Sequence, residues 1–115
     1  MGEDKLYRLV SRDDATPAGA DFSVIVPGDE LEPYIPRGGR AYVSRRQMPE
    51  NGQVGLFLVG DEMVLRQVCQ DSFGGVYLFC PNRRRKDKDL RPGKEETLCC
   101  FGRVLLKQDP PLPSE

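Results

Sequence analysis

The stretch Val26–Arg45, VPGDELEPYIPRGGRAYVSR, decides how the rest of the chain is read. Pro27-Gly28-Asp29 and Pro36-Arg37-Gly38-Gly39 are turn signals, because proline presets φ near −65° and glycine accepts positive φ. An apolar run enters the stretch, Phe22–Val26 (FSVIV), and another follows it, Ala41–Val43 (AYV). Both are too short for helices and suit strands. Working outward, the same alternation recurs at Val54–Val59 (VGLFLV), Met63–Val68 (MVLRQV), Val76–Phe79 (VYLF) and Leu98–Leu106 (LCCFGRVLL), with Asn51-Gly52, Gly60-Asp61, Gly74-Gly75 and Arg91-Pro92-Gly93 between them. Val59-Gly60-Asp61-Glu62 reads as a two-residue hairpin. The pattern predicts a mainly β fold of antiparallel hairpins with few or no helices, over residues 22–107. Residues 1–21 show no sustained period and are expected to form an N-terminal arm. Residues 108–115, with Pro110, Pro111 and Pro113, cannot continue a ladder and are expected to form a tail that leaves the domain.

Composition narrows the chemistry. The 115 residues carry 17 Lys+Arg, 18 Asp+Glu, four Cys and no His. Without imidazole, no Ser-His-Asp or Cys-His nucleophile can be assembled, and the commonest zinc ligand is missing. A net charge of −1 gives no global pull toward nucleic acid or anionic lipid. The longest apolar run, Val54–Val59, falls far below the ~20 residues of a membrane span, and the N-terminus has no secretory core. A cytoplasmic protein without membrane contact is expected. Cys69, Cys80, Cys99 and Cys100 form no C-x-x-C pair, so reduced structural cysteines are expected and neither a metal nor another cofactor.

Three further stretches follow Val26–Arg45 in order: NGQVGLFLVGDEMVLRQV, GGVYLFCPN and CFGRVLL. Together these resemble the C-terminal domain of LexA and the phage repressors, self-cleaving Ser-Lys peptidases whose fold is related to that of signal peptidases. The resemblance covers residues 22–106. It implies a LexA/signal-peptidase-like fold and a cleft built on the turn after the first strand, where Gly28, Asp29, Glu32 and Pro33 match scaffold positions.

The same resemblance places Glu30 where the family has its nucleophilic Ser and Arg66 where it has its general-base Lys. A Ser-Lys dyad needs a neutral amine, and burial can bring a Lys from about 10.4 toward 7. Arginine starts near 13.8, so half-neutralising it at pH 7 would cost about 9 kcal/mol. A carboxylate beside a permanent cation is a poor acyl-transfer nucleophile. No intact catalytic residue is therefore expected, and Glu30 and Arg66 are expected to form a salt bridge in the former cleft. Ala18-Gly19 resembles the family's scissile bond but lies only eleven residues before Glu30; a small-residue hinge is the expectation.

The implied function is a catalytically inactive regulatory and dimerisation domain of a bacterial or phage-derived transcriptional repressor. Family members pair through their C-terminal strand, so Cys99, Cys100, Phe101 and Val104 are the expected dimer surface of a homodimer, presented at an apolar edge. The chain contains no helix-turn-helix, so DNA contact is expected only through a separate domain of that kind. Two alternatives remain: a self-cleaving or divergent serine peptidase using Ser23, Ser44, Thr16 or Ser72 with Lys5 or another Lys as base, and a stand-alone peptide-binding or protein-binding module that adds a strand at an edge. The basic run Asn82–Lys88, interrupted by Asp87, is expected as a solvated loop.

Overall fold

The computed structural model describes residues 7–93 and 95–113. Seven strands form one antiparallel sheet: β1 (Arg8–Ser11), β2 (Phe22–Ile25), β3 (Arg40–Ser44), β4 (Val54–Val59), β5 (Glu62–Gln70), β6 (Val76–Phe79) and β7 (Leu98–Val104). Their order across the sheet is β1-β2-β3-β7-β4-β5-β6. The predicted mainly β fold of hairpins is therefore the observed one. Among the described residues the helical content is a single short 3₁₀ helix, Arg83–Lys88.

Alternation along β4 and β5 produces two cores, because successive side chains point to opposite faces. Val54, Leu56 and Leu65 join Val24, Val26, Ala41, Val43 and Val104 in the larger cluster, which Leu31 and Ile35 of the 27–39 loop cover. Phe57 and Val64 join Leu78 in the smaller cluster on the other face. The 27–39 loop is closed at its base by Val26 N–H to Gly39 O (2.9 Å) and Gly38 N–H to Val26 O (2.8 Å). Gly38, at φ +81°, supplies the left-handed turn this closure requires.

The β4–β5 hairpin turns at Gly60-Asp61, with Val59 opposite Glu62 and Gly60 at φ +64°. Glycine at the first central position suits a type II′ turn, whose twist matches the strands. β7 reaches its place by a long connection and pairs with β4 along most of its length. With β3 it shares only Val43↔Val104 and Ser44↔Arg103. The β4–β7 register shifts between Leu56 and Phe57, leaving Phe101 as the extra residue of a bulge. Gly102 beside it has φ +151°, and a Cβ there would lie 2.2 Å from Ser44 O.

Two segments depart from expectation. Residues 8–11, assigned to an arm, form β1 and pair with β2 from Arg8↔Ile25 to Ser11↔Phe22. Three of the four residues are exposed, so no apolar alternation announced this edge strand. The 108–113 segment does not leave the domain. The prolines cannot extend a ladder, but their carbonyls can accept: Gln67 Nε2 donates to Pro110 O (2.6 Å), and Pro110 is buried. The described residues contain no helix long and apolar enough to cross a membrane.

Candidate functional site

The turn after β2, the first half of β5 and the 3₁₀ helix surround a cavity of about 280 Å³. β6 pairs with β5 only from Gln67 to Gln70, so Glu62–Arg66 lack a strand partner on that side, and the cavity opens there. Glu30 and Arg66, drawn together from 36 positions apart in sequence, both line it. Each is only 6% exposed.

Backbone contacts fix the turn that carries Glu30. Asn82 N–H donates to Glu30 O (3.0 Å), the Cys80 thiol donates to the same oxygen (3.3 Å), and Asn82 Nδ2 donates to Asp29 O (2.8 Å). Glycine at position 28 makes room for the carboxylate, since a Cβ there would lie 2.7 Å from Glu30 Oε1. The Tyr7 hydroxyl donates to Glu30 Oε2 at 2.5 Å. Burial, and then the charge of Glu30, push the Tyr7 hydroxyl well above its ordinary 10.0.

Arg66 stands opposite Gly55 on β4. Its guanidinium donates through Nε to Lys88 O (3.1 Å) and through Nη1 to Leu65 O (2.8 Å). The expected Glu30–Arg66 salt bridge is not formed. Among the described residues the ion pairs are Arg40–Asp13, Arg83–Asp89 and Arg85–Asp29. The two charges share a cavity but have chosen neutral partners, a phenol for one and backbone carbonyls for the other.

Gly28 and Asp29 line the same cavity as Glu30. Glu32 and Pro33 face a separate depression of about 460 Å³ with Pro36, Asn82 and Arg84. The scaffold positions therefore divide between two adjacent hollows. Asp29 is bridged to Arg85 at 3.0 Å. Burial pushes its carboxyl up, but the hydrogen bonds and charge of Arg85 outweigh that and hold it below its ordinary value. Arg83 makes a two-pronged pair with Asp89 (2.9 and 3.1 Å). The basic run, expected as a solvated loop, is solvent-exposed from Arg84 to Asp87 but is folded into a 3₁₀ turn tied down by two carboxylates.

The other candidate residues lie elsewhere. Ser23 is buried on β2 and its Oγ accepts from Arg40 Nε (3.0 Å), while Thr16 Oγ1 donates to Asp13 Oδ1 (3.1 Å). Ser44 is buried at the end of β3, and Ser72 lies in the exposed β5–β6 turn. None lines the cavity. Lys5 lies outside the described residues. Gly19 turns the chain at φ +92°, with Ala18 exposed beside it.

The expected dimer surface also needs correction. β7 is internal to the sheet, and Val104 is fully buried opposite Val43, so it belongs to the core. Leu98–Phe101 overhang the end of β3 and have a strand on one side only. There Cys99 is exposed, as are Leu98 (37%) and Phe101 (39%). Cys100 instead packs on the smaller core, and burial raises its thiol. All four cysteines are free. Among the described residues no three metal-ligating side chains cluster.

Tyr7 is the site residue that sequence reasoning missed. It lies 23 positions from Glu30, in a segment without periodicity. A single antiparallel sheet with a cleft between its second-strand turn and a β hairpin defines a peptidase-like β domain. The Peptidase S24-like family model matches residues 3–105, and the chain belongs to that family. A comparison with curated proteins returned no significant match.

Proposed function

We propose that this chain is a catalytically inactive, LexA-like regulatory and dimerisation domain of a transcriptional repressor. The observation that carries the reading is the pair Glu30 and Arg66, both nine-tenths buried in one cavity at the positions that the family resemblance assigns to Ser and Lys. Such a cleft keeps the peptidase shape while its two reactive positions hold a carboxylate and a permanent cation. Dimerisation would use the overhanging Leu98–Phe101 half of β7, where an unpaired strand side and exposed apolar groups coincide. DNA would be reached through a separate helix-turn-helix domain, in the cytoplasm of a bacterial cell.

Holding the purified protein at alkaline pH and following its intact mass tests inactivity. No change is expected, and a discrete pair of fragments would overturn the reading. Appearance of fragments in the double variant Glu30→Ser with Arg66→Lys would support a former active site. Sedimentation is expected to give a dimer. The β5 stretch Glu62–Arg66, unpaired on the cavity side, favours a second reading in which the domain captures an extended peptide without cutting it.

A further inference from the structure

Buried charges are costly unless compensated, by several kcal/mol per ion. Glu30 and Arg66 are buried in one wall system without neutralising each other, and each is only half provided for. Glu30 Oε2 accepts from Tyr7, but Glu30 Oε1 has no hydrogen-bond partner among the described residues. Arg66 spends Nε and Nη1 on carbonyls, and its Nη2 has no partner there either. Neither atom is fully enclosed: among the described residues the enclosed side-chain atoms without partners are Gln67 Oε1, Arg103 Nε and Asp109 Oδ1. The cavity therefore presents an unspent negative acceptor and an unspent positive donor at separate points.

We propose that this cavity binds a small zwitterion of the amino-acid class, with its ammonium on Glu30 Oε1 and its carboxylate on Arg66 Nη2. A ligand with one charge would satisfy one wall and leave the other unpaired. A zwitterion satisfies both and leaves the net charge of the site unchanged. The volume, about 280 Å³, lies just below the ~300–1,000 Å³ of pockets for drug-sized ligands and so fits a smaller molecule. Met63, Val64 and Leu90 line the same space and give a short aliphatic side chain an apolar surface. The Arg85–Asp29 bridge, also on the lining, pairs off two nearby charges. Arg37, Glu62 and Lys88 reach the same space from less enclosed positions, so Glu30 and Arg66 are its deeply buried charges. This reading goes beyond the regulatory role and rests on the cavity alone.

Titration calorimetry of the full chain with L-alanine, L-valine and L-leucine, against isobutylamine and isobutyrate as single-charge counterparts, tests the proposal. At least one amino acid is expected to bind saturably with a Kd of about 1 mM or tighter, and each single-charge probe at least about tenfold more weakly. Glu30→Gln is expected to weaken the amino acid by about tenfold or more, with Arg66→Lys, which keeps the charge, losing less than Arg66→Gln. Absence of saturable binding up to about 10 mM would overturn the proposal, as would equal binding of a single-charge probe or indifference to Glu30→Gln in a folded variant. If a variant fails to fold, the wild-type comparison of probes decides by itself. Because binding is read directly, it succeeds or fails independently of any repressor or dimer role.

Discussion

The cavity wall and the overhanging half of β7 invert the ordinary distribution of side chains in opposite directions. At the cavity, Glu30 and Arg66 are charged and buried. At the overhang, Leu98 and Phe101 are apolar and more than a third exposed. Large apolar groups are ordinarily inside and unpaired charges outside, so both regions depart from what folding alone favours. The departures differ in what maintains them. The cavity charges are held by specific hydrogen bonds from Tyr7 and to the carbonyls of Leu65 and Lys88. The overhang is held by the backbone of β4 on one side and by Cys100 on the smaller core. A region maintained by many specific contacts is suited to recognising a small group of defined shape, whereas one with a bare strand side suits a broader, less exacting partner.

Substitutions can break this contrast at several strengths. The largest effect is expected at Gly102, where the overhang begins. Gly102→Ala sets a Cβ against the Ser44 carbonyl at a φ that side chains avoid, and it should cost about 3 kcal/mol or more in urea unfolding. Next comes Arg66→Met. It removes the donors to two carbonyls, and a loss of about 2–3 kcal/mol is expected in the same measurement. Tyr7→Phe removes one hydrogen bond to a charged acceptor and should cost about 1.5 kcal/mol at neutral pH.

Its pH dependence sharpens the assignment. The Tyr7 hydroxyl is raised above its unfolded value of 10.0, so the unfolded chain loses this proton first as pH rises. The stability Tyr7 contributes is complete below pH 10 and declines above it. The wild type should therefore lose stability above that pH faster than Tyr7→Phe, as followed by thermal melts. The smallest effect on folding belongs to Phe101→Ser, within about 0.5 kcal/mol, because that side chain is already exposed. Sedimentation should nevertheless register weaker self-association in that variant, which separates a surface kept for a partner from one kept for the fold.

What could be read from the sequence was local. The β4–β5 hairpin was legible because Gly60-Asp61 sits between two apolar runs, and the turn chemistry and register agree. The meeting of Glu30 and Arg66 in one cleft was legible through resemblance. Their choice of partners was not, since a phenol from residue 7 and the carbonyls of residues 65 and 88 leave no mark in a pattern of residue types. β1 escaped notice because its exposed residues carry no period, and the position of β7 because a crossover between distant strands depends on the assembled core. The 3₁₀ helix was hidden inside a run of charges, because the carboxylates that anchor it, Asp29 and Asp89, are assigned to it only by the folded chain.

The two-residue contact between β3 and β7 has a thermal consequence. Among the described residues it is the only ladder joining β1-β2-β3 to β7-β4-β5-β6, so the two halves of the sheet are held mainly by the apolar cluster that spans them. Ladder hydrogen bonds and apolar packing respond differently to temperature, and the hydrophobic contribution weakens on cooling. The seam between the halves is therefore the part of the sheet that chilling loosens first. Amide exchange at Ser44 and Val104 near 0 °C should rise ahead of exchange within the β4–β5 hairpin.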